Sequence, residues 1–140
     1  MKIVFAADGS ACTKKALAFL VTHESLAGAG DELFVLNVQP PLPPSVELMV
    51  RSDVADNSHR DEASKVLDPI KLFLDRHPIR YRCDWVVGSP ADEIVDATRR
   101  EKAHMIVMGT HGHGLLGRVL MGSVAQGVLA DCDVPVLLVK

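Results

Sequence analysis

The stretch MIVMGTHGHGLLGRVLMGS, from Met105 to Ser123, carries most of the information about fold and site. It begins with a short apolar run, as expected of a strand that is covered on both faces of a parallel sheet. Six glycines then follow from Gly109 to Gly127 inclusive. Adjacent N–H groups of such a loop, joined to the start of a following helix, form a concave nest for phosphate groups. Ser123 would add a hydroxyl donor, and a purely structural glycine turn is the alternative.

Two familiar phosphate motifs partly match this loop. Residues 112–117 have the spacing G-x-G-x-x-G, but Leu137 stands about 20 residues further on, where a dinucleotide site needs an acidic residue for the ribose. The same glycines have the spacing of a P-loop, yet Arg118 and Val119 replace the lysine and the hydroxyl residue that bind phosphate and magnesium. Both of these interpretations fail.

Outward from this stretch, short apolar runs alternate with amphipathic segments along the chain. Five strands are predicted, at Ile3–Ala7, Leu33–Val38, Tyr81–Val87, Met105–Met108 and Val134–Val139. The alternation predicts an α/β fold with an open five-stranded parallel sheet, right-handed crossovers and helices on both faces. The strand order expected for this topology is 3-2-1-4-5, in a single domain spanning residues 1–140.

Four helices are predicted between the strands. The first contains the stripe of Ala16, Leu17 and Leu20 and is expected to end at Gly28–Gly30. A second helix is predicted at Ala63–Leu74, and Pro69 should kink or break it. A third is opened by Ser89 and Pro90 and ends about Lys102, and the last runs from Gly122-Ser123 to about Asp131. The segment Gln39–Ser58, which contains four prolines, is predicted to be a long connection that serves as a lid, as a partner surface or as neither.

The expected strand order also predicts where a ligand binds. Strands one and four are neighbours at the point where the order reverses, so Asp8-Gly9-Ser10 and the Gly109 loop should face each other across one crevice. An aspartate at this place can instead be only a helix cap, and Gly88-Ser89 is most simply interpreted as such a cap.

Composition excludes several classes of function. The chain has 15 basic and 18 acidic residues and a net charge of −3, without a basic block that would predict nucleic-acid binding. The scattered Cys12, Cys83 and Cys132 argue against a disulfide framework and favour a reducing, cytoplasmic location. No apolar stretch approaches the roughly 20 residues of a membrane span.

Candidate metal ligands and nucleophiles are sparse. His111 and His113 lack a third Cys, His or carboxylate at ligand spacing, so no dedicated metal site is predicted and contact with phosphate or solvent is expected instead. Cys12 lies near a helix start, but no partner histidine is identifiable from the sequence, which favours an inert thiol. No Ser-His-Asp or paired-carboxylate grouping is apparent, so the loop favours binding over catalysis.

The pattern of Gly109, two residues, Gly112, nine residues and Gly122-Ser123 resembles the nucleotide-binding signature of the ATP-binding universal stress proteins. The resemblance extends along the chain, and its segments are the first strand with Asp8, Leu36-Asn37-Val38, residues 88–94, Met108–Gly112 and Val134–Val139. It implies the adenine nucleotide alpha hydrolase-like form of the fold. Ala6 and Ala7 depart from the family pattern, because many members have proline or a hydroxyl residue there.

The resemblance also implies a site. Asp8 would bind the ribose or organise the metal–phosphate region, the backbone of Val38 would contact the adenine edge, and Ala6 and Ala7 would form a small apolar wall. The phosphate-side residues that it implies are Met108 and Gly109 for the ribose and α-phosphate, Gly112 and His113 for the middle phosphates, and Gly122, Ser123 and Val124 for the terminal one.

The function implied is a nucleotide-dependent regulator or sensor in a stress response. It would bind ATP, or AMP or ADP, with Mg²⁺ held mainly by the phosphates and water. A homodimer formed through the C-terminal strand Val134–Val139 and an unknown regulatory partner are implied as well. No residue supplies an obvious base for water, and Arg118 is the conspicuous cation of the loop, so at most slow ATP hydrolysis is expected. An adenylate-forming or slow ATP-hydrolysing enzyme using the same crevice is the alternative.

Overall fold

The computed structural model describes residues 1–111 and 121–140. In this part of the chain the strands are β1 (Lys2–Ala6), β2 (Glu32–Gln39), β3 (Arg80–Val87), β4 (Met105–Gly109) and β5 (Val136–Val139). They pair in parallel in the order β3-β2-β1-β4-β5, which confirms the predicted α/β fold and strand order. The register places Val4 of β1 opposite Ile106 of β4, so these two strands are direct neighbours at the centre of the sheet.

Helices cover both faces of the sheet. Their bounds are α1 (Ala11–Thr22), α2 (Pro44–Glu47), α3 (Ser52–Leu74), α4 (Pro90–Arg100) and α5 (Ser123–Asp131). Alternate strand residues face opposite sides: Ile3 and Phe5 join one core with α1 and α3, whereas Val4 and Ile106 join another with α4 and α5. Because both faces are buried, the central strands are apolar throughout rather than alternating.

The first helix is shorter than predicted. It ends at Thr22, several residues before the glycines that were expected to stop it. The hydroxyl of Thr22 donates to the Ala18 carbonyl at 2.9 Å, and the amides of Leu26 and Ala27 both donate to the carbonyl of His23. Local bonds therefore turn the chain at His23, and the glycines lie in the turn that follows.

The helix that contains Pro69 is longer than predicted. α3 runs from Ser52 to Leu74 without a break, so of the predicted kink or break at Pro69 the break is wrong, and the kink stays a prediction. Pro69 and Lys65 are exposed, so the Lys65 carbonyl that lacks its helical donor can be hydrated instead. The buried stripe of Ala63, Leu67 and Ile70 keeps the helix against the sheet.

The segment Gln39–Ser58 is also more ordered than expected. It contains the one-turn helix α2 and the first residues of α3, so the irregular connection spans only the residues around them. Its role as a lid or a partner surface stays a prediction. Within the described residues, we find no helix that combines the length and the apolar character needed to cross a bilayer.

Candidate functional site

A cavity of about 280 Å³ lies at the carboxyl ends of the central strands. This is the edge of the sheet where the chain leaves β1 in one direction and β4 in the other, the usual ligand position in open α/β folds. The residues that line it are Ala6, Ala7, Asp8, Thr13, Leu36, Val38, Pro90, Ile94, Met108, Gly109, Thr110, His111, Gly122, Ser123, Val124 and Ala125. Two loops that are far apart in sequence therefore meet in one crevice, as the strand order predicted.

One wall of the cavity is apolar. Ala6 and Val38 pack on the face of the sheet that carries α4 and α5, and Met108 belongs to the same buried cluster. Ile94 of α4 closes this side from above the sheet and is 3% exposed. A slot with small and aliphatic walls of this kind accommodates a flat, weakly polar ring by burying its faces.

Asp8 provides the carboxylate of the cavity and is held by the start of α1. Its Oδ1 accepts hydrogen bonds from the Ser10 amide at 2.8 Å and from the Thr13 hydroxyl at 2.6 Å. Gly9 between them has φ of 78°, a conformation that glycine adopts without strain. The N-cap of α1 is Ser10, whose hydroxyl accepts from the Thr13 amide. Ser10 is therefore the N-cap, and Asp8 supports the start of α1 from two residues before it.

The opposite end of the cavity is the start of α5. Gly122 is the N-cap, and its amide donates to the Thr110 carbonyl at 2.6 Å, which ties this helix to the end of β4. The first helical bond runs from Gln126 to the Gly122 carbonyl. The amides of Ser123, Val124 and Ala125 precede that bond and have no partner within the helix. Such a helix start attracts anions, because its free N–H groups donate hydrogen bonds and the positive end of the helix dipole lies there.

Gly88 and Ser89 contribute to the cavity only indirectly. Ser89 occupies the N-cap position of α4 as predicted, but its side chain makes no capping hydrogen bond. Pro90 and Ile94, one turn apart on α4, reach the cavity. A Cβ on Gly88 would lie 2.5 Å from the Glu93 carboxylate oxygen, so the glycine leaves room for that side chain.

Cys12 does have a histidine neighbour, contrary to the sequence-based expectation. Its Sγ lies 3.7 Å from Nε2 and 3.9 Å from Nδ1 of His111, and Thr110 Oγ1 lies 3.1 Å from the same Nδ1. The pair joins α1 to the end of β4, which no spacing in the sequence could reveal. Cys12 is 5% exposed, and the three described cysteines are free thiols.

The structure brings together most of the predicted site residues. Those that line the cavity are Ala6, Ala7, Asp8, Val38, Met108, Gly109, Gly122, Ser123 and Val124. Gly112 and His113 lie outside the described residues. Sequence reasoning did not predict the lining residues Thr13, Leu36, Pro90, Ile94, Thr110 and Ala125. Pro90 and Ile94 are one helical turn apart, so either could have indicated the other, but no sequence signal marked the first of them. Across residues 1–111 and 121–140, no three His, Cys, Asp or Glu side chains gather as a metal site.

The fold and the crevice define an open parallel α/β protein with a cavity at the reversal of its strand order. The family model described as the universal stress protein family matches residues 1–140, and the chain belongs to that family.

Individual relatives support this assignment. A universal stress protein of Thermus aquaticus is 33% identical over 99% of this chain and 97% of its own length. The universal stress protein MJ0531 of Methanocaldococcus jannaschii is 37% identical over 58% of this chain, which spans only 48% of that relative. The solved structure of protein MJ0577 superimposes with a TM-score of 0.84 at 31% identity, covering 99% of this chain and 94% of that one. Other solved members share the fold at 17% to 21% identity, and they are complexes with AMP, dAMP or cAMP.

Proposed function

We propose that the cavity binds an adenine nucleotide, with ATP as the main ligand and AMP or ADP as alternatives. One observation carries the proposal: an apolar slot, a carboxylate and a helix N-terminus converge in a single cavity at the reversal of the strand order. These three features match the three parts of a nucleotide, which are a flat base, a hydroxylated sugar and an anionic phosphate chain. Other universal stress proteins of this fold are solved as adenine nucleotide complexes, which is consistent with the same class of ligand.

The described residues fit each part of the ligand. The base lies against Ala6 and Ala7 with its edge at the Val38 backbone, and the ribose lies between Asp8 and Met108-Gly109. The phosphates take the N–H groups of Ser123 and Val124 beside Gly122, whose own amide is bonded to the Thr110 carbonyl. Gly112 and His113, which lie outside the described residues, are expected to contact the phosphates as well. Mg²⁺ accompanies the phosphates and is held mainly by them and by water. A cavity of about 280 Å³ is near the small end of ligand pockets, which suits a single nucleoside with its phosphates toward the rim.

We further propose that residues 1–140 act as a regulator in a stress response, with nucleotide occupancy as the signal. The ionisable side chains among the described lining residues are Asp8 and His111. Asp8 already accepts two hydrogen bonds from the start of α1, which favours a positioning role over that of a free base. Nucleotide is therefore bound with at most slow hydrolysis. The cytoplasmic location expected from the cysteine pattern stays a prediction.

An adenylate-forming or slow ATP-hydrolysing enzyme is the alternative use of the same crevice. It needs a second substrate pocket beside the phosphates. Release of pyrophosphate that depends on an added small metabolite would favour this alternative, and release of phosphate alone at a measurable rate would indicate an ATPase. Binding without either product supports the regulator.

Isothermal titration with ATP, ADP and AMP tests the site, and Gly122→Asp is the decisive variant. Aspartate is a favourable N-cap residue, so the substitution preserves α5 while it places a negative charge where the phosphates bind. ATP affinity should fall by about 100-fold or more. Gly30→Asp is the matched control, because a Cβ there meets no atom within 4 Å and the turn before β2 is outside the cavity. Normal ATP binding by the Gly122 variant would refute the proposed site.

A homodimer through β5 is the third part of the proposal. β5 is an edge strand whose four residues are all half-buried in the single chain. The carbonyl of Pro135 accepts a bond from Ile106 of β4, and the carbonyl of Val139 accepts one from Thr110 just after β4. The N–H of Leu138, which alternates with these groups, is therefore directed outward. Antiparallel pairing with a second copy would cover this apolar edge. Sedimentation velocity should detect a dimer of the natural chain. Leu138→Pro should disrupt this dimer, whereas Leu138→Ala, which keeps the N–H, should retain it. An unchanged dimer in the proline variant would contradict pairing through β5.

A further inference from the structure

We propose that Asn37 and Gln39 are positioning residues of the site, because they form an amide relay that holds the Ala7–Asp8 peptide and with it the Asp8 carboxylate. The inference rests on the proposed nucleotide site and adds to it two residues that do not touch the ligand. Asn37 is a polar side chain only 2% exposed in the middle of a sheet, where apolar residues predominate. A group so buried needs hydrogen-bond partners.

Asn37 lies on the opposite face of the sheet from the apolar wall. Leu36 and Val38, its neighbours in β2, pack toward α4 and line the cavity. Because side chains alternate along a strand, Asn37 is directed to the face that carries α1 and α3. Neither Asn37 nor Gln39 lines the cavity, so both act on a ligand only through other residues.

The first contact of the relay lies at the end of β1. The Ala7 amide still donates to the Leu36 carbonyl at 2.9 Å, and the pairing of β1 with β2 ends there. The Ala7 carbonyl is then bonded by the side chain of Asn37, whose Nδ2 donates to it at 2.8 Å. Ala7 is 4% exposed, so this amide replaces water that cannot easily reach the carbonyl.

The other half of the same peptide group is held from α1. The Asp8 amide donates to Thr13 Oγ1 at 3.3 Å, and that hydroxyl donates to Asp8 Oδ1 at 2.6 Å. The peptide between Ala7 and Asp8 is thus bonded at its carbonyl by a strand residue and at its N–H by a helix residue. Rotation of this peptide would swing the Asp8 carboxylate, and the two side chains oppose that rotation.

Gln39 sets the orientation of the Asn37 amide. Its Nε2 donates to Asn37 Oδ1 at 2.6 Å, which leaves the NH₂ group of Asn37 directed at the Ala7 carbonyl. The backbone of Gln39 is in turn anchored, because its carbonyl accepts from the Gly88 amide at 2.9 Å. Replacing the Gln39 amide by a carboxylate would reverse the relay, since a carboxylate only accepts and would draw the Asn37 NH₂ away from Ala7.

Two variants test the relay. Asn37→Leu removes the donor to Ala7 at similar volume, and Gln39→Glu reverses the polarity at a half-buried position where the fold is less at risk. Tyr81→Phe is the control, because it removes a hydrogen bond to Asp75 near the other end of the sheet and should lower stability without touching the site. Thermal melts establish that each variant is folded.

The first measurement needs no nucleotide. Amide hydrogen exchange by NMR should show Asp8 exchanging about tenfold faster or more in both relay variants, whereas the Val4 amide in the core of β1 keeps its protection. The control should leave the Asp8 amide unchanged. An unaltered Asp8 exchange rate in both variants would overturn the relay, whatever the ligand of the site.

The second measurement is a double-mutant cycle with Asp8→Asn, read by ATP titration. Gln39→Glu should weaken ATP binding by about tenfold when Asp8 is present and by less than about twofold in the Asp8→Asn background, because the relay acts through that carboxylate. Equal losses in both backgrounds would mean a general structural effect and would refute the positioning role. Failure of the unmodified protein to bind any adenine nucleotide would instead refute the proposed function, which separates the two proposals.

Discussion

The close approach of α1 to β4 makes Gly109→Ala an informative substitution. A Cβ built on Gly109 would lie 2.5 Å from the Cβ of Cys12, 3.2 Å from its carbonyl carbon and 3.4 Å from its Cα. None of these atoms is the end of a flexible side chain, so no rotamer change relieves the contact. The first turn of α1 must therefore move away from the end of β4, by close to 1 Å to reach ordinary contact.

The cost of that movement can be worked from the packing. Overpacking of a well-packed core by one methyl group costs about 1–3 kcal/mol, and we expect about 2 kcal/mol here because backbone atoms of α1 must move. For a domain of this size the melting temperature should fall by roughly 6–8 °C. Gly109 and Thr13 both line the cavity, so ATP affinity should fall as well.

Urea denaturation followed by the fluorescence of Trp85, the single tryptophan, measures the free energy of unfolding. Gly109→Ala is compared in three backgrounds: the natural chain, Cys12→Ala and Cys12→Gly. The Cys12→Ala background keeps the opposing Cβ and should leave the cost unchanged, whereas Cys12→Gly removes that atom and should reduce the cost to below about 1 kcal/mol.

The backgrounds also define what would refute the reasoning. If Gly109→Ala costs less than about 0.5 kcal/mol in the natural chain, the contact is not tight. If the cost is the same in the Cys12→Gly background, the clash is not with that Cβ. If the cost of Gly109→Ala already falls in the Cys12→Ala background, the clash is with the sulfur of Cys12 rather than with its Cβ.

Three further predictions concern stability and reactivity outside the cavity. Pro69→Ala should raise the free energy of unfolding by about 2 kcal/mol, because alanine restores the N–H that bonds to the Lys65 carbonyl. Urea denaturation measures this gain, and a variant no more stable than the natural chain would contradict the prediction. The hydrogen bond from Arg82 holds the pKa of Glu101 below its usual 4.5. The stabilisation of the fold by this ion pair is therefore complete above pH 4.5 and is lost as the pH falls through the lowered pKa. Glu101→Gln should lower the free energy of unfolding by about 1 kcal/mol at neutral pH and by progressively less in acid. A loss that stays constant with pH would contradict this prediction. Burial raises the pKa of Cys83 to about 11. Iodoacetamide should therefore label Cys83 slowly at neutral pH in the folded protein and faster in urea, as measured by peptide mass spectrometry. Equal labelling rates in the two conditions would contradict this prediction.

Local patterns in the sequence were sufficient for the fold. Apolar runs such as Met105–Met108 mark strands because a strand covered on both faces cannot tolerate polar side chains, and their alternation with helices leaves few topologies. The helix starts at Pro90 and Ser123 were predictable for the same reason, since proline and glycine act on the backbone of their own position. The helix end at Thr22 was not, because the Leu26 and Ala27 amides bond to the His23 carbonyl and turn the chain before the glycines.

Continuity of α3 through Pro69 shows the limit of local reasoning. Proline removes one hydrogen bond whatever its surroundings, but the packing of Leu67 and Ile70 on the sheet outweighs that loss. Burial of an apolar stripe stabilises the helix by more than the loss of one hydrogen bond on its exposed side destabilises it. Helix propensity alone does not include the packing contribution.

The sequence by itself determined the chemical types available to the site: a glycine-rich loop, an aspartate after the first strand and a helix start at Gly122. Only the tertiary structure decided their geometry, because parallel pairing of β1 with β4 brings Asp8 and Gly109, a hundred residues apart, to one edge of the sheet. The tertiary structure also decided which side chains, on the face of the sheet opposite the apolar wall, hold the Asp8 peptide in place. The bond from Asn37 in β2 to the carbonyl of Ala7, the residue after β1, joins residues 30 apart in the sequence, and no local spacing encodes that contact.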